Sequence, residues 1–272
     1  MDQMTKAKDS KAQTFADLHA GPDILVLPNA WDAASAAVMA DAGAKAVATS
    51  SAAVAWAHGY PDGDVLPLTN LIATISAVVR VVDVPVTADI EGGYTDDLAT
   101  LADNVRAVIG AGAVGINLED GVRQSDLHAK KIEAVRKAAD GEGVALFINA
   151  RTDTYLKRLF EGEAAEAETV KRAALYLAAG ADGVFVPGPT DDALIGRLAG
   201  AIDGPMNIML TGGLPGAARL QALGVRRLSS GGRPSSGAYA YLANAVKAYL
   251  ANGLATPFLV DGLGNLNQRF AR

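Results

Sequence analysis

Eight short apolar runs, each followed by a segment of helical periodicity, constrain this chain more than any other feature. The runs are Ile24–Pro28, Lys45–Thr49, Val84–Ala88, Val114–Leu118, Val144–Asn149, Gly183–Val186, Met206–Leu210 and Val225–Ser229. Near-continuous hydrophobicity is what strands covered on both faces require, so each run reads as a strand of a parallel sheet. Between the runs, apolar residues recur with the helical period. One stripe is Leu71, Ile72, Ile75, Val78, Val79 and Val82, and another is Leu98, Leu101, Val105, Val108 and Ile109. A third is Leu127, Ile132 and Val135, with Lys130, Lys131, Arg136 and Lys137 on the wet side; the last is Leu242, Val246, Tyr249 and Leu250. Gly43, Gly112, Gly180 and Gly224 stand where a helix should stop before the next strand. Eight alternations without a linker-like stretch predict an α/β fold, a single (β/α)8 TIM-type barrel over residues 1–272. An open doubly wound sheet fits less well, because no Gly-x-Gly-x-x-Gly turn follows the first strand. Residues Ser10–Ala20 predict an extra helix before the barrel, and the tail from Ala251 to Arg272 extends beyond the eighth helix.

Composition narrows the function classes. Half of the residues are hydrophobic, enough for a sizeable core, and the net charge of −6 argues against nucleic acid as a partner. The absence of cysteine excludes disulfides, thiolate metal ligands and a cysteine nucleophile. No run approaches the length of a membrane span. The polar segment Met1–Lys11 lacks the apolar core of a signal peptide, so a cytoplasmic location is expected.

In such a barrel the reactive groups come from the C-terminal ends of the strands and the loops after them. Those positions hold Asn29, Trp31 and Asp32; Thr49, Ser50 and Ser51; Asp89 and Glu91; Glu119 and Asp120; Arg151, Thr152 and Asp153. Thr211–Gly213 and Ser229–Arg233 follow the seventh and eighth strands. Acids crowded at one mouth repel each other, and a hard cation such as Mg²⁺ is the simplest compensation. Taken singly, each acid is as readily a helix cap or a partner for a surface base.

Six segments carry a resemblance: Leu27–Ser35 (LPNAWDAAS), Thr49–Ala52, Gly59–Asp62, Asp89–Tyr94 (DIEGGY), Gly115–Asp120 (GINLED) and Asn149–Asp153 (NARTD). In this order and spacing the chain resembles the isocitrate lyase/phosphoenolpyruvate mutase superfamily. The resemblance implies Mg²⁺, with Mn²⁺ as a substitute, held directly by Asp89 and mainly through water by Asp62, Glu91 and Glu119. It implies a 2-oxo carboxylate gripped by Ser50, Ser51 and Ala52, walled by Trp31 and faced by Arg151. Arg151, Ser50 and Glu119 are the residues expected to serve the chemistry. The implied reaction is lysis of a carbon–carbon bond in a small 2-oxo or 2-hydroxy acid, decarboxylation included, through a metal-stabilised enolate. A homo-oligomer, dimer or tetramer, with an exchanged C-terminal helix is implied too.

The chain departs from the pattern in three places. Glu91 stands where the family usually has Asp. The segment Gly121–Lys131 is short and lacks both the lid cysteine of the lyases and the lid asparagine of the phosphonomutases. Pro187-Gly188 replaces the polar residues after strand six. Alternatives therefore stay open: phosphonopyruvate-type phosphorus–carbon chemistry, a phosphate-binding barrel using loops 211–213 and 229–232, or a non-catalytic 2-oxo-acid binder. Of the histidines, His128 reads as exposed on the first turn of the fourth helix, His58 as solvent-exposed, and His19 as structural or exposed.

Overall fold

The computed structural model describes residues 3–271; Met1, Asp2 and Arg272, at the outer ends of the polar N-terminus and the tail, lie outside them. Nine parallel strands form one sheet in the order β1-β9-β8-β7-β6-β5-β4-β3-β2. The first two, β1 (Leu25–Leu27) and β2 (Asn29–Ala30), are halves of one barrel strand interrupted at Pro28. Proline has no N–H to give to a ladder. β1 pairs with β9 (Arg227–Ser229) and β2 with β3 (Val47–Thr49), so the barrel closes through this broken strand.

The remaining strands are β4 (Val86–Asp89), β5 (Gly115–Glu119), β6 (Phe147–Arg151), β7 (Gly183–Phe185) and β8 (Met206–Met209). They correspond to the expected runs, but β4, β5 and β6 extend one or two residues further toward the mouth. The reason is backbone pairing: Asp89 lies opposite Asn117 and Glu119 opposite Arg151. The polar tips are strand residues rather than loop residues. Their side chains are correspondingly better fixed.

Helices α2 (Ala33–Asp41), α4 (Leu68–Val81), α5 (Leu98–Gly110), α6 (Ser125–Gly141), α7 (Gly162–Ala178), α8 (Asp192–Ala201) and α9 (Ala217–Ala222) surround the barrel, and α3 (Ser51–Ala57) opens off β3. Leu71, Ile75, Leu101, Val105, Ile132 and Val135 join one apolar cluster with the outer strand residues, as the periodicity predicts. Gly43, Gly112, Gly180 and Gly224 all take positive φ, near +100°, the conformation that favours glycine at a helix end. Two residues of α6 depart from expectation. Lys131 has a fully buried side chain, its Nζ donating to Thr95 O at 2.7 Å and Asp96 Oδ1 at 2.8 Å. His128 is also fully buried, edge-on to Tyr176 at 4.6 Å between ring centroids.

The extra helix, α1 (Gln3–Ala20), starts earlier than expected and closes the N-terminal end of the barrel. Phe15 packs edge-on against Phe147, and His19 stacks on Phe147 with its Nδ1 on Phe15 O. His19 is therefore structural. After β9 comes α10 (Arg233–Asn252), whose expected apolar stripe is largely open: Leu242, Tyr249 and Leu250 are exposed. The tail carries α11 (Leu266–Phe270), anchored by Arg269 on Asp41 at 2.9 Å.

Candidate active site

Two strand ends and one helix start build the mouth. Asp89 ends β4, Arg151 ends β6, and Ser50 caps α3, its Oγ accepting from Ala53 N. Together with Ser51, Ala52 and Asp62 they line a single cleft of about 300 Å³.

Asp89 is buried, and its two oxygens accept from Ser51 N and Glu91 N, both at 3.3 Å. Burial raises its carboxyl above the ordinary range; Arg151 works against the rise and Asp62 adds to it. Arg151 is clamped on two sides. Its Nε and Nη2 bind Asp153 at 2.7 and 3.1 Å, and its Nη1 meets Glu119 at 2.5 Å. Burial opposes the guanidinium charge, but Glu119 and Asp153 outweigh it and hold Arg151 above its usual range. Burial pushes Glu119 up to about 8, with Arg151 pulling it back.

Glu91 is placed differently from the expectation of a metal-facing acid. Its Oε2 accepts from the N–H groups of Gly63 and Asp64, and Tyr94 Oη donates to its Oε1 at 3.0 Å. The residue itself sits at φ +52°. The longer side chain thus ties the 62–64 loop to β4, and burial pushes its carboxyl up to about 7. Asp64 answers from the other side: its Oδ1 accepts from Gly92 N and Tyr94 N, each at 3.1 Å, and Arg123 joins its Oδ2 at 3.2 Å.

Other expected residues are redistributed. Trp31 stands away from the cleft, 6.2 Å from Tyr239 between ring centroids, and Trp56 of α3 supplies the aromatic wall. Glu119 reaches the cleft only through Arg151. Asp120 leaves the rim altogether: fully buried, it accepts from Asp153 N, Arg172 and Tyr176 Oη. His58 is exposed as expected, with Nε2 3.0 Å from Thr74 Oγ1. Residues 229–232 line the cleft and the 211–213 loop does not.

Two cleft residues fall inside the quoted sequence segments, Asn117 in GINLED and Asn29 in LPNAWDAAS, but the sequence assigns no role to either. Asn117 forms part of the cleft floor, its Oδ1 accepting from Asn149 Nδ2 at 2.9 Å. Asn29 organises the turn after β9, its Oδ1 accepting from Ser230 N and Gly231 N.

The donor set fits a hard divalent cation. Asp62 and Asp89 bring carboxylate oxygens to one cleft, and neither forms an ion pair among the described residues. Among those residues, no three acidic or histidine side chains converge as one direct shell. An ion here would take one or two carboxylates and complete its shell with water and substrate, the habit of Mg²⁺.

Comparison with known proteins shows the family. Residues 15–250 match the model of the phosphoenolpyruvate phosphomutase family. A solved Burkholderia cenocepacia structure, whose name assigns it provisionally to the phosphonomutases, is 41% identical. It superposes with a TM-score of 0.85 over 89% of this chain and 99% of its own. An uncharacterized Mycobacterium tuberculosis protein is 38% identical over 232 residues, 84% of this chain and 85% of the relative. The 2-methylisocitrate lyase of Bacillus subtilis is 30% identical over 192 residues, 66% of this chain and 60% of the enzyme.

Proposed function

The chain belongs to the phosphoenolpyruvate phosphomutase family, in a superfamily of carbon–carbon lyases and mutases, and from that premise we propose that it is a Mg²⁺-dependent lyase of a small 2-oxo or 2-hydroxy carboxylate. The observation that carries this reading is the convergence of Asp62, Asp89, Arg151 and Ser50–Ala52 on one cleft.

Asp89 and Asp62 would hold the ion, Mg²⁺ or Mn²⁺, which when bound supplies a Lewis acid for the substrate's oxygens. The chain's own groups do the rest. Ser51 N–H is committed to Asp89, and Ser50 Oγ accepts from Ala53 N. The Ser50 hydroxyl proton and the Ala52 N–H, which has no intrahelical acceptor at this position, are the donors left for a substrate carboxylate. Arg151 stabilises the negative charge that collects on the substrate oxygen as the bond to carbon 3 breaks. Glu119 and Asp153 position it. Glu119 is thus a positioning residue, touching Arg151 rather than substrate. Glu91 holds the 62–64 loop, and with it Asp62, against the cleft.

The direct test is a thermal-shift titration with oxalate and pyruvate, with and without Mg²⁺. Stabilisation that requires Mg²⁺ and disappears in Asp89→Ala supports the reading; equal stabilisation without metal or in the variant sinks it. Metal-dependent binding without turnover of any acid would leave a binding protein. The second reading is phosphorus–carbon chemistry on phosphonopyruvate, favoured by the 41% identity to the Burkholderia structure.

The same proposal places the enzyme in the cytoplasm with a small molecule as its ligand; no described helix is long and apolar enough to cross a membrane. It includes a homo-oligomer, dimer or tetramer. Val26 and Leu210 lie open in an apolar groove outside β1, while Leu242 and Leu250 of α10 lie open elsewhere. Light scattering that reports a monomer at micromolar concentration would remove that part.

A further inference from the structure

Arg227 opens β9, and its guanidinium lies inside the barrel, 5.9 Å from the centre of the Phe15 ring. It is 1% exposed. Nη2 donates to Asn117 Oδ1 at 3.1 Å, but Nε and Nη1 meet no acceptor among the described residues. No carboxylate of those residues forms an ion pair with it. Burial lowers its pKa to about 9, and Asp89, beyond ion-pair distance, works against that, so the group keeps its charge near neutrality. A charge buried without a partner is strongly destabilising.

Its neighbours in the lumen are short of partners too. Asn207 of β8 is the Cα partner of Arg227. Met206 and Ile208, on either side of it, join the apolar cluster beneath the outer helices, so alternation turns Asn207 inward. It is 1% exposed, and both of its amide atoms lack a partner among the described residues. Thr87 of β4 is equally buried, with its Oγ1 unpartnered. A Cβ on Gly115 would lie 2.9 Å from that oxygen and 2.7 Å from Phe15 Cε1, so the hydroxyl borders the same ring as Arg227. Buried polar atoms are nearly all bonded in native proteins, and a group of unmet ones marks the place of water or an ion. Water satisfies an amide and a hydroxyl. It does not cancel a charge.

We propose that the lumen beneath the cleft floor is a closed site for one monovalent inorganic anion of halide size, bound by Arg227 with the Asn207 amide and the Thr87 hydroxyl. The Phe15 ring on one side and the Asn117–Asn149 pair on the other leave no place for a larger oxyanion. The ion offsets the guanidinium charge and holds Arg227 against Asn117, which lines the cleft above. It takes no part in the chemistry of the cleft, and its presence does not depend on which acid the cleft binds.

The test is anomalous diffraction on the full chain, purified and crystallised with bromide in place of chloride. Maps at the bromine edge, and at long wavelength where retained chloride scatters, should show a halide within hydrogen-bond reach of Arg227 Nε or Nη1. With bromide replacing gluconate at constant ionic strength, the melting temperature should rise by about 3 °C for each tenfold increase in bromide above its Kd. Arg227→Met, which fills the place with an uncharged chain, should lose both the halide and the rise. A lumen that is empty or holds only water in the wild-type maps overturns the proposal, and those maps decide it whether or not Arg227→Met folds. A rise in Arg227→Met equal to that of the wild type also overturns it, by placing the halide elsewhere.

Discussion

Arg227 Nη2 donates to Asn117 Oδ1 at 3.1 Å across the barrel lumen, from β9 to β5. Arg227 is fully buried over the Phe15 ring, and burial lowers its pKa to about 9. A guanidinium can only donate, so Asn117 must turn its oxygen inward and is left with its amide N–H₂ for the cleft. Asn117→Asp keeps the partner for Arg227 but removes that donor. It should hold the melting temperature while weakening oxalate binding about tenfold, the worth of one hydrogen bond to an anion. Unchanged affinity would show that the Asn117 amide does not face the ligand.

Asp120 supports the site from behind. Its Oδ1 accepts from Asp153 N at 2.8 Å, and its Oδ2 accepts from Arg172 and Tyr176. Removing it leaves Arg172 with Glu168 alone and orphans Tyr176 Oη and the Asp153 N–H, a change that costs about 3 kcal/mol. Urea denaturation of Asp120→Ala should show a loss of that order. A loss under about 1 kcal/mol would mean that water replaces the carboxylate freely.

The buried histidines set an acid limit. Burial lowers both His19 and His128 from 6.5 to about 3. Between those values the unfolded chain takes up protons that the native state refuses, so stability falls as pH drops from about 6.5 toward 3. From pH 6.5 to pH 5 the loss is about 2 kcal/mol per histidine. His128→Gln, compared with the wild type by denaturation at pH 7.5 and pH 5, should lose correspondingly less across that interval. Equal losses would place a proton on His128 in the native state.

Arg123 joins the loops that replace a long lid. It reaches Asp96 at 2.7 Å and Asp64 at 3.2 Å, and Lys131 shares Asp96. The pairs are partly exposed, so Arg123→Ala should cost no more than about 1 kcal/mol. Its effect should appear instead as faster hydrogen exchange at Gly92 and Tyr94, whose N–H groups Asp64 holds. Unchanged exchange at both amides would show that the loops hold together without it.

Much of the barrel is legible from periodicity, because a strand covered on both faces and a helix covered on one leave different apolar patterns. Asp89, Arg151, Ser50 and Ser51 are equally legible, since their place at the mouth follows from strand order; Asp62, in the loop after α3, is legible only through the family resemblance. What periodicity hides is the fate of polar side chains once loops fold over them. Lys131 and His128 lie on a stretch of α6 that reads as wet, yet the Thr95–Asp96 loop and Tyr176 cover them. Glu91 reads as one more metal-facing acid, but its positive φ turns its carboxylate to the 63–64 amides. Arg227 opens a strand that reads as buried and apolar, and only the closed barrel shows what its charge meets.

Pro28 has a consequence for the order of events in folding. The half-strand before it pairs with Arg227–Ser229, and Ser230 N–H reaches Leu27 O at 3.1 Å. Residues separated by some two hundred positions must therefore meet before the sheet loses its edges, and contacts that distant in sequence form slowly. Until then the unpaired strands at the two ends are open to other chains. The Asn29 turn, which brings residues 229–232 to the cleft, exists only once that seam is joined, so ligand binding should be among the last properties a refolding chain acquires.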